Sequence, residues 1–530
     1  MKRWNGWGRE EFIHKLHPSS EQFIVNAVGQ GQPTPDAAFE GVTAAAPASA
    51  LPEHPLVSRD PADRVRYARG QSLADWIALR SGQIGRLPDG VAFPTSDEDV
   101  RTLLTYARQT GARLIPYGGG TSVVGHINPP GGEAPVLTVA LERMNHLLAL
   151  DEASQTAVFE AGVSGPDLEA ALTARGYTRG HFPQSFEFST LGGWIASRSV
   201  GTQCYLYGRI ENLFLGGHVE TPQGALDLPH VPASAAGPDL HHLVLGSEGR
   251  LGLITRATVR VRQLPRRDTF HAVFFAHWEA AFAALKEIVR SRAPVSMLRL
   301  SNAMETESTL QLSGKENFVK LAHNGLGLIG IGPERCLLIF GVTGEPALAR
   351  AAYAMTTAIA RRHGGLVVDP VIGPMWYKSR FTTPYLRNTL WERGYALDTL
   401  ETALPWAEIP AAMPAIQEAL RHALDDTGER TLVFAHLSHM YSDGASMYIT
   451  YLYRRTADPA ETLHRWTRLK TAASQQIVAH GGTISHQHGV GTDHAPYLAA
   501  EKGPLGMSAT AAALRHFDPA GMMNPGKLII

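Results

Sequence analysis

A strand that runs straight into three consecutive glycines is the feature that most constrains this chain. Residues 94–122 read PTSDEDVRTLLTYARQTGARLIPYGGGTS. Ser96 stands where a helix N-cap belongs, and with Asp99 it resembles a capping box that uses Asp for the usual Glu. Asp97, Glu98 and Asp99 suit the positive end of a helix dipole. Val100, Leu103, Leu104 and Ala107 then fall on one helical face, and Gly111 ends the helix. ARLIP (112–116) follows as a strand that empties into Gly118-Gly119-Gly120-Thr121-Ser122. Consecutive glycines let successive amides turn into one concavity that suits an anion, and Thr121 and Ser122 add hydroxyls. Taken alone, the loop reads equally as a tight surface turn. No Gly-Lys-Ser/Thr follows it, and Val123 sits where the last glycine of G-x-G-x-x-G belongs, so a nucleoside triphosphate and a Rossmann-bound NAD are both disfavoured.

At 530 residues the chain exceeds what one hydrophobic core supports, and two or more domains are expected. Its 48 basic and 49 acidic residues give a formal charge of −1 with no polybasic run, so nothing draws it to nucleic acid or to an anionic membrane over long range. Cys204 and Cys336 are the only cysteines, too few for a disulfide framework or a thiolate metal cluster. MKRWNGWGREE lacks the apolar core of a signal peptide, no stretch is long and apolar enough to span a bilayer, and KLII is not a peroxisomal address. A cytoplasmic protein is expected.

Residues 28–57, rich in Pro, Ala and Gly, read as a linker or a loosely ordered arm, and 63–82 as partly helical. From there to about residue 263 short strands alternate with helices. VLTVAL (136–141) and AVFEAGV (157–163) are strands, and GPDLEAALTARG (165–176) is a helix with Pro166 in its first turn. Beyond residue 263 the pattern becomes α+β around a different core. Helices are expected at 278–292, 345–363 and 459–480, and strands at SMLRL (296–300), CLLIFGV (336–342) and SMYITYLY (446–453).

Three further segments share the glycine loop's character: QSFEFSTLGGWIASRSVG (184–201), YGRIENLFLGGHVETPQG (207–224) and GSEGRLGLITRATVRVRQLP (246–265). Each alone could be a hairpin. Together they are backbone-rich loops able to line one extended polar ligand. PYGGGTS, QSFEFSTLGGW, YGRIENL and SEGRLGLIT resemble the flavin-binding segments of the vanillyl-alcohol-oxidase, or FAD-linked oxidase, family. Within it, RWNGWG (3–8), SMLRLSN around Arg299, HMYSDGASMY (439–448) and SHQHGVG (485–491) resemble the alkylglycerone-phosphate synthases nearly end to end. The resemblance implies an α+β architecture: a two-subdomain FAD-binding fold of the vanillyl-alcohol-oxidase type with an α+β cap domain. It divides the chain into an N-terminal extension and linker (1–84), an FAD-binding domain (85–263), a cap or substrate domain (264–480) and a C-terminal segment returning to the flavin (481–530).

Carried over position by position, the resemblance places FAD on Pro116, Tyr117, Gly118, Gly119, Gly120, Thr121 and Ser122. It adds Gln184, Ser185, Phe186, Glu187, Phe188, Ser189 and Thr190, then Ser197, Arg198, Ser199 and Val200. The last group is Glu248, Gly249, Arg250, Leu251, Gly252, Leu253 and Ile254. The glycine loop holds no histidine of the kind that tethers flavin in some relatives, so FAD is expected to be non-covalent.

For the chemistry, Tyr448 lies in an alternating strand and reads by itself as a packing aromatic. The resemblance makes it the catalytic phenol, which needs a cationic or hydrogen-bonding neighbour to act as a base. Arg387 in PYLRNTL matches a substrate-phosphate arginine, and a guanidinium fork suits phosphate oxygens; a surface arginine is the plain alternative. Arg299, inside an apolar strand, needs a partner: flavin or substrate on one reading, a structural salt bridge on the other. His486 and His488 share a face if that segment is extended, and His436 and His439 could complete a zinc-binding cluster with them. Against a metal, metal-dependent flavin 2-hydroxyacid dehydrogenases carry Glu immediately before the histidine, where Gln487 stands. The resemblance instead assigns His486 and His488 to orienting substrate, flavin and Tyr448, with Gln487 replacing the synthases' middle histidine by an amide that cannot titrate.

The implied activity is exchange of the acyl group of acyl-dihydroxyacetonephosphate for a long-chain alcohol, with flavin as an electron sink and no net oxidation. The alternatives are an FAD-linked oxidase or dehydrogenase of a 2-hydroxy acid or alcohol, and a flavoprotein that binds without catalysing. A small or lipid-like substrate, peripheral membrane contact and a homodimer are expected. No metal, nucleic acid or transmembrane segment is expected.

Overall fold

The Ser96 hydroxyl accepts the Asp99 amide at 3.1 Å and starts the helix Asp97–Thr110. The Asp99 carboxylate turns instead to the amide and hydroxyl of Thr95, each at 2.8 Å, so the return half of the expected capping box goes to the preceding residue. Gly111, at φ +69°, closes the helix in the left-handed region. Val100, Leu103, Leu104 and Ala107 are buried against Leu114, Leu137, Val139 and Met523, each fully buried Leu or Val contributing about 1.5–3 kcal/mol. The computed structural model of the chain describes residues 1–312, 326–327 and 330–529.

That helix covers a four-stranded sheet in the order Val57–Ser58, Gly90–Ala92, Val136–Ala140, Arg113–Tyr117, in which the last three strands run parallel. Beside it lies a five-stranded antiparallel sheet: Leu147–Asp151, Thr156–Glu160, Leu253–Arg260, Phe214–Thr221, Gly224–Leu228. A seven-stranded antiparallel sheet forms the other half. Its order is Leu366–Val367, Arg267–Phe275, Cys336–Gly344, Met297–Ser301, Leu432–Met440, Gly444–Arg454, Tyr395–Pro405. The helices Trp278–Arg290, Pro346–Arg362, Ile409–His422 and Pro459–Ala479 accompany this sheet, and residues of all four join its core.

The Pro/Ala/Gly-rich stretch is not the loose arm its composition indicates. Polar side chains buried elsewhere fix its backbone. The Tyr395 hydroxyl accepts the Gly31 amide and donates to the Gly29 carbonyl, both at 3.0 Å, Arg80 grips Asp36 at 2.7 Å, and Arg455 donates to the Thr34 carbonyl at 3.0 Å. An unperiodic segment is ordered here by partners that lie from 44 to 421 residues away, out of reach of any local pattern. The first residues are held in the same way. Asn388 takes both the amide (3.2 Å) and the carbonyl (2.8 Å) of Trp7, the Trp7 ring packs edge-on to Phe188 at 5.6 Å, and the Lys2 ammonium donates to the Gly119 carbonyl at 2.6 Å.

At the other end, Met522 to Lys527 runs beside the strand Arg113–Tyr117. The Leu114 amide donates to the Met522 carbonyl (2.8 Å), the Asn524 amide to the Leu114 carbonyl (2.7 Å), and the Lys527 ammonium to the Asn128 carbonyl (2.9 Å).

Candidate active site

The glycine loop leaves its strand against Thr190 and Phe188. A Cβ on Gly119 would overlap the Phe188 carbonyl, which is why a side chain is excluded there. Thr190 caps the helix Leu191–Ser197 by accepting the Gly193 amide at 3.4 Å. Glu248, at φ +53°, ties a third segment in: its carboxylate accepts the amides of Val490 (2.5 Å) and Gly491 (2.8 Å), and its carbonyl accepts Asn524 Nδ2 (2.7 Å).

These segments enclose one cavity of about 1050 Å³, counting its open mouth. Every residue from Pro116 to Ser122 lines it, with Ser185, Ser189, Thr190, Ser197, Ser199, Glu248, Gly249, Gly252, Ile254, Gln487 and His488. The remaining residues expected to hold cofactor lie off this wall. Gln184 is exposed, and Phe186 stacks on Phe381 at 4.9 Å. Glu187 accepts the Tyr385 hydroxyl at 2.8 Å, and Phe188 faces Trp7. Arg198 turns toward the His242 carbonyl (3.4 Å), and Arg250 toward the carbonyls of Asn524 and Lys527 (3.4 and 3.5 Å). Val200, Leu251 and Leu253 are core residues. Unlike the glycine loop, the other three runs each put only some of their residues on the wall. The wall also includes Trp194, the last residue of QSFEFSTLGGW, and His126 and Asn524, which were not among the residues expected there. Asn524 arrives only because the C-terminal segment folds back. His126 lies near the loop in sequence and points its Nδ1 at the Ser122 hydroxyl, 3.0 Å away.

The four histidines do not converge. His439, the bulge residue at φ +51°, stacks on His486 at 5.3 Å and sits 3.2 Å from the Cys204 sulfur. His436 stacks on Tyr448 at 5.1 Å, and Tyr448 meets the edge of His488 at 5.8 Å. Among the described residues, the only three metal-ligating groups whose donor atoms lie within 4.8 Å of one another are Asp97, His218 and Glu220, far along the chain from these histidines. There, Arg256 and Arg101 already pair the two carboxylates at 3.0 and 2.7 Å.

His486-Gln487-His488 is a bend, not the extended strand that would align the two rings. Its shape comes from Glu401, fully buried on the strand Tyr395–Pro405. One Glu401 oxygen accepts the successive amides of His486 (3.1 Å), Gln487 (2.6 Å) and His488 (2.8 Å). The carboxylate lies 3.3 Å from His486 Nδ1 and 3.6 Å from His488 Nδ1. Burial alone would push this carboxyl up. The imidazoles of His488 and His486 and the Gln487 amide outweigh it and hold Glu401 well below the usual carboxylate range. No sequence motif marked Glu401; a lone glutamate in an apolar strand was the available signal.

Tyr448 donates its hydroxyl to Thr399 Oγ1 at 3.0 Å, and burial pushes its phenol up to about 12. Arg299 takes the salt-bridge alternative. Its guanidinium pairs with Glu305 and reaches His436 Nδ1 at 3.3 Å, while Glu305 also holds His436 at 2.9 Å. Arg387 is not a surface arginine. It donates to the carbonyls of Leu397 (3.0 Å) and Gln71 (2.6 Å) and lies over the Trp76 ring at 4.3 Å. Its Nη2, 4.0 Å from Asp398, has no hydrogen-bond partner. Tyr448, Arg299 and Arg387 stand outside the wall of the large cavity; His488 reaches it.

This architecture and cavity define a class. The model of the FAD linked oxidases, C-terminal domain, matches residues 264–528, half of the chain, and that of an FAD binding domain matches 88–227. The chain therefore belongs to the FAD-linked oxidases, and FAD is its cofactor. Within that class it is 28% identical to an alkyldihydroxyacetonephosphate synthase of Dictyostelium discoideum, over 99% of this chain and 93% of that one. It is likewise 28% identical to the synthase of Trypanosoma brucei brucei, over 89% and 79%. A solved alkyldihydroxyacetonephosphate synthase structure superposes with a TM-score of 0.84 at 26% identity, covering 99% of this chain and 98% of that one. p-Cresol methylhydroxylase, at TM-score 0.68 and 15% identity over 89% and 94%, shares the fold. No described helix is long and apolar enough to cross a membrane.

Proposed function

We propose that this chain is an FAD-dependent enzyme of the alkylglycerone-phosphate synthase type, replacing the acyl group of acyl-dihydroxyacetonephosphate with a long-chain alcohol. The observation that carries the reading is the end-to-end likeness to that synthase in sequence and in structure. The cavity suits the cofactor: bare glycine amides and the hydroxyls of Thr121 and Ser122 provide donors for a diphosphate, and Gln487 and His488 close the far wall. Bound FAD supplies an electron sink that gives back what it takes, so no electron acceptor is needed.

The chain's own groups do the rest. His488, on the wall and beside Glu401, takes the proton from the substrate carbon and returns it. Tyr448 stays a neutral phenol that donates a hydrogen bond and orients His488 by edge contact, because burial keeps its proton on. Arg387, with a nitrogen to spare, binds the substrate phosphate. Arg299 keeps His436 and Glu305 in place under the Tyr448 ring. FAD is held without a covalent bond, so acid precipitation releases the flavin into the supernatant; flavin retained in the pellet contradicts this. The proposal includes a homodimer, read by light scattering, and peripheral attachment to membranes, read by sedimentation with phospholipid vesicles.

The second reading is an FAD-linked dehydrogenase of a hydroxy acid, favoured by Gln487 and by the family of the C-terminal half. One experiment separates them. Purified holo-protein, kept anaerobic, receives an acyl-dihydroxyacetonephosphate and hexadecanol. An ether product formed without any electron acceptor supports the synthase. Bleaching of the flavin by a 2-hydroxy acid, with colour restored by a dye, supports the dehydrogenase and removes the synthase.

A further inference from the structure

His486 has a neighbour that none of the expected roles uses. The Tyr441 hydroxyl lies 2.5 Å from His486 Nε2. Arg209 Nη1 donates to the same phenolic oxygen at 3.1 Å, its Nη2 donates to the His486 carbonyl at 3.2 Å, and its Nε lies 2.8 Å from Glu211. A guanidinium has no acceptor, so the Tyr441 oxygen is the acceptor in that contact. Among the described residues no other group takes the phenol's proton, which therefore points at His486 Nε2. A ring nitrogen that accepts a hydrogen bond carries no proton of its own, so the His486 proton is on Nδ1, facing Glu401 at 3.3 Å.

We propose that Tyr441, locked by Arg209, is a positioning residue that keeps His486 neutral in its Nδ1–H form and so leaves His488 as the one imidazole on Glu401 free to take a proton. The two rings share one carboxylate, and a proton on either opposes a proton on the other. With a neutral His486 only facing Glu401 across 3.3 Å, and no hydrogen bond formed between Nδ1 and that oxygen, the negative charge of Glu401 serves His488, the ring on the cavity wall.

The other groups that face the pair do not undo this. His439, stacked on His486, is kept neutral chiefly by burial, and hydrogen-bonds Cys204. On His488, burial is the main effect disfavouring a proton and Lys470 adds to it, while Glu401 and then Asp398 favour it. His494 nearby is held neutral by burial, with Lys470 adding to the effect.

The test uses FAD-loaded protein with 15N-labelled histidine, His486 and His488 being assigned from His486→Gln and His488→Gln. In the wild type, His486 should show a protonated Nδ1 and a bare Nε2. In Tyr441→Phe, Nε2 loses its hydrogen-bond donor, so His486 should no longer hold that single tautomer, and the His488 midpoint should shift. Arg209→Met keeps the phenol but frees it to rotate, and should give a mixture of the two His486 tautomers. A wild-type His486 that is cationic at pH 7 or protonated on Nε2 overturns the proposal, as does a His486 spectrum unchanged in both variants. The wild-type spectrum decides even if one variant fails to fold. Where ether synthesis is measured, its acid limb should move with the His488 midpoint. That arm rests on the function proposed above; the spectra do not, so failure of the one is told apart from failure of the other.

Discussion

At Glu401, three amides and two imidazoles converge on one carboxylate that water does not reach. Replacing it by an amide places N–H₂ among three backbone donors that the carboxylate oxygen satisfies. Glu401→Gln should therefore cost about 1–3 kcal/mol in chemical denaturation, the range for leaving a buried polar group unsatisfied. The pH dependence has a definite sign. The folded pKa lies below the unfolded value of about 4.3, so the stabilisation is complete at neutral pH and is lost as pH falls through and below that value. The variant should show a flatter loss of stability on acidification than the wild type. Tyr448 touches both His436 and His488. Tyr448→Phe keeps the ring's contact with His488 but loses the hydroxyl's hydrogen bond, and should lower turnover about tenfold, the scale of one such bond, with the flavin spectrum intact; near-normal turnover would take the phenol out of the chemistry. Of these residues, Tyr448, His486 and His488 were legible because they stand in motifs. Tyr441 and Arg209 also stand in quoted motifs, HMYSDGASMY and YGRIENL, but their link to His486 spans 45 and 277 positions, and Glu401 stands in no motif; nothing within a short window shows these contacts.

Among the elements, the helix Asp97–Thr110 and the strand behind it were readable almost residue by residue, because cap, apolar face and stop all lie within the segment. The helices Trp278–Arg290, Pro346–Arg362 and Pro459–Ala479 end within a few residues of where periodicity puts them, for the same reason. The capping box is half a box because Thr95 offers Asp99 two donors at once. In the glycine loop, space rather than dihedral freedom excludes a side chain at position 119. Gly119→Ala must push the Phe188 carbonyl back, and the segment Gln184 to Thr190 moves with it. We expect Gly119→Ala to be folded by circular dichroism but to weaken FAD retention more than tenfold on gel filtration. Normal flavin content in that variant would show that the loop and the Phe188 segment do not define the cavity together.

Over the whole molecule, the N-terminal ten residues join the glycine loop to the helix Leu386–Glu392. Asn388 satisfies both backbone groups of Trp7 and takes Arg80 at 3.0 Å, all buried. Asn388→Ala strands an amide and a carbonyl away from water, at about 1–3 kcal/mol each, so a clear fall in Tm with flavin content unchanged at low temperature is expected from differential scanning calorimetry. Local order set what the chain alone could state: helix limits, strand alternation, a loop too bare for anything but close backbone approach, and a charge balance with no pull toward nucleic acid. These follow from interactions between near neighbours, which any short window contains. Tertiary structure decided the rest. It stacked His439 on His486, put Tyr448 between His436 and His488, set a buried glutamate against both His486 and His488, and brought Asn524 to the cavity across nearly four hundred residues from His126. Hydrogen bonds and charges act through space, and only folding brings those groups within their reach.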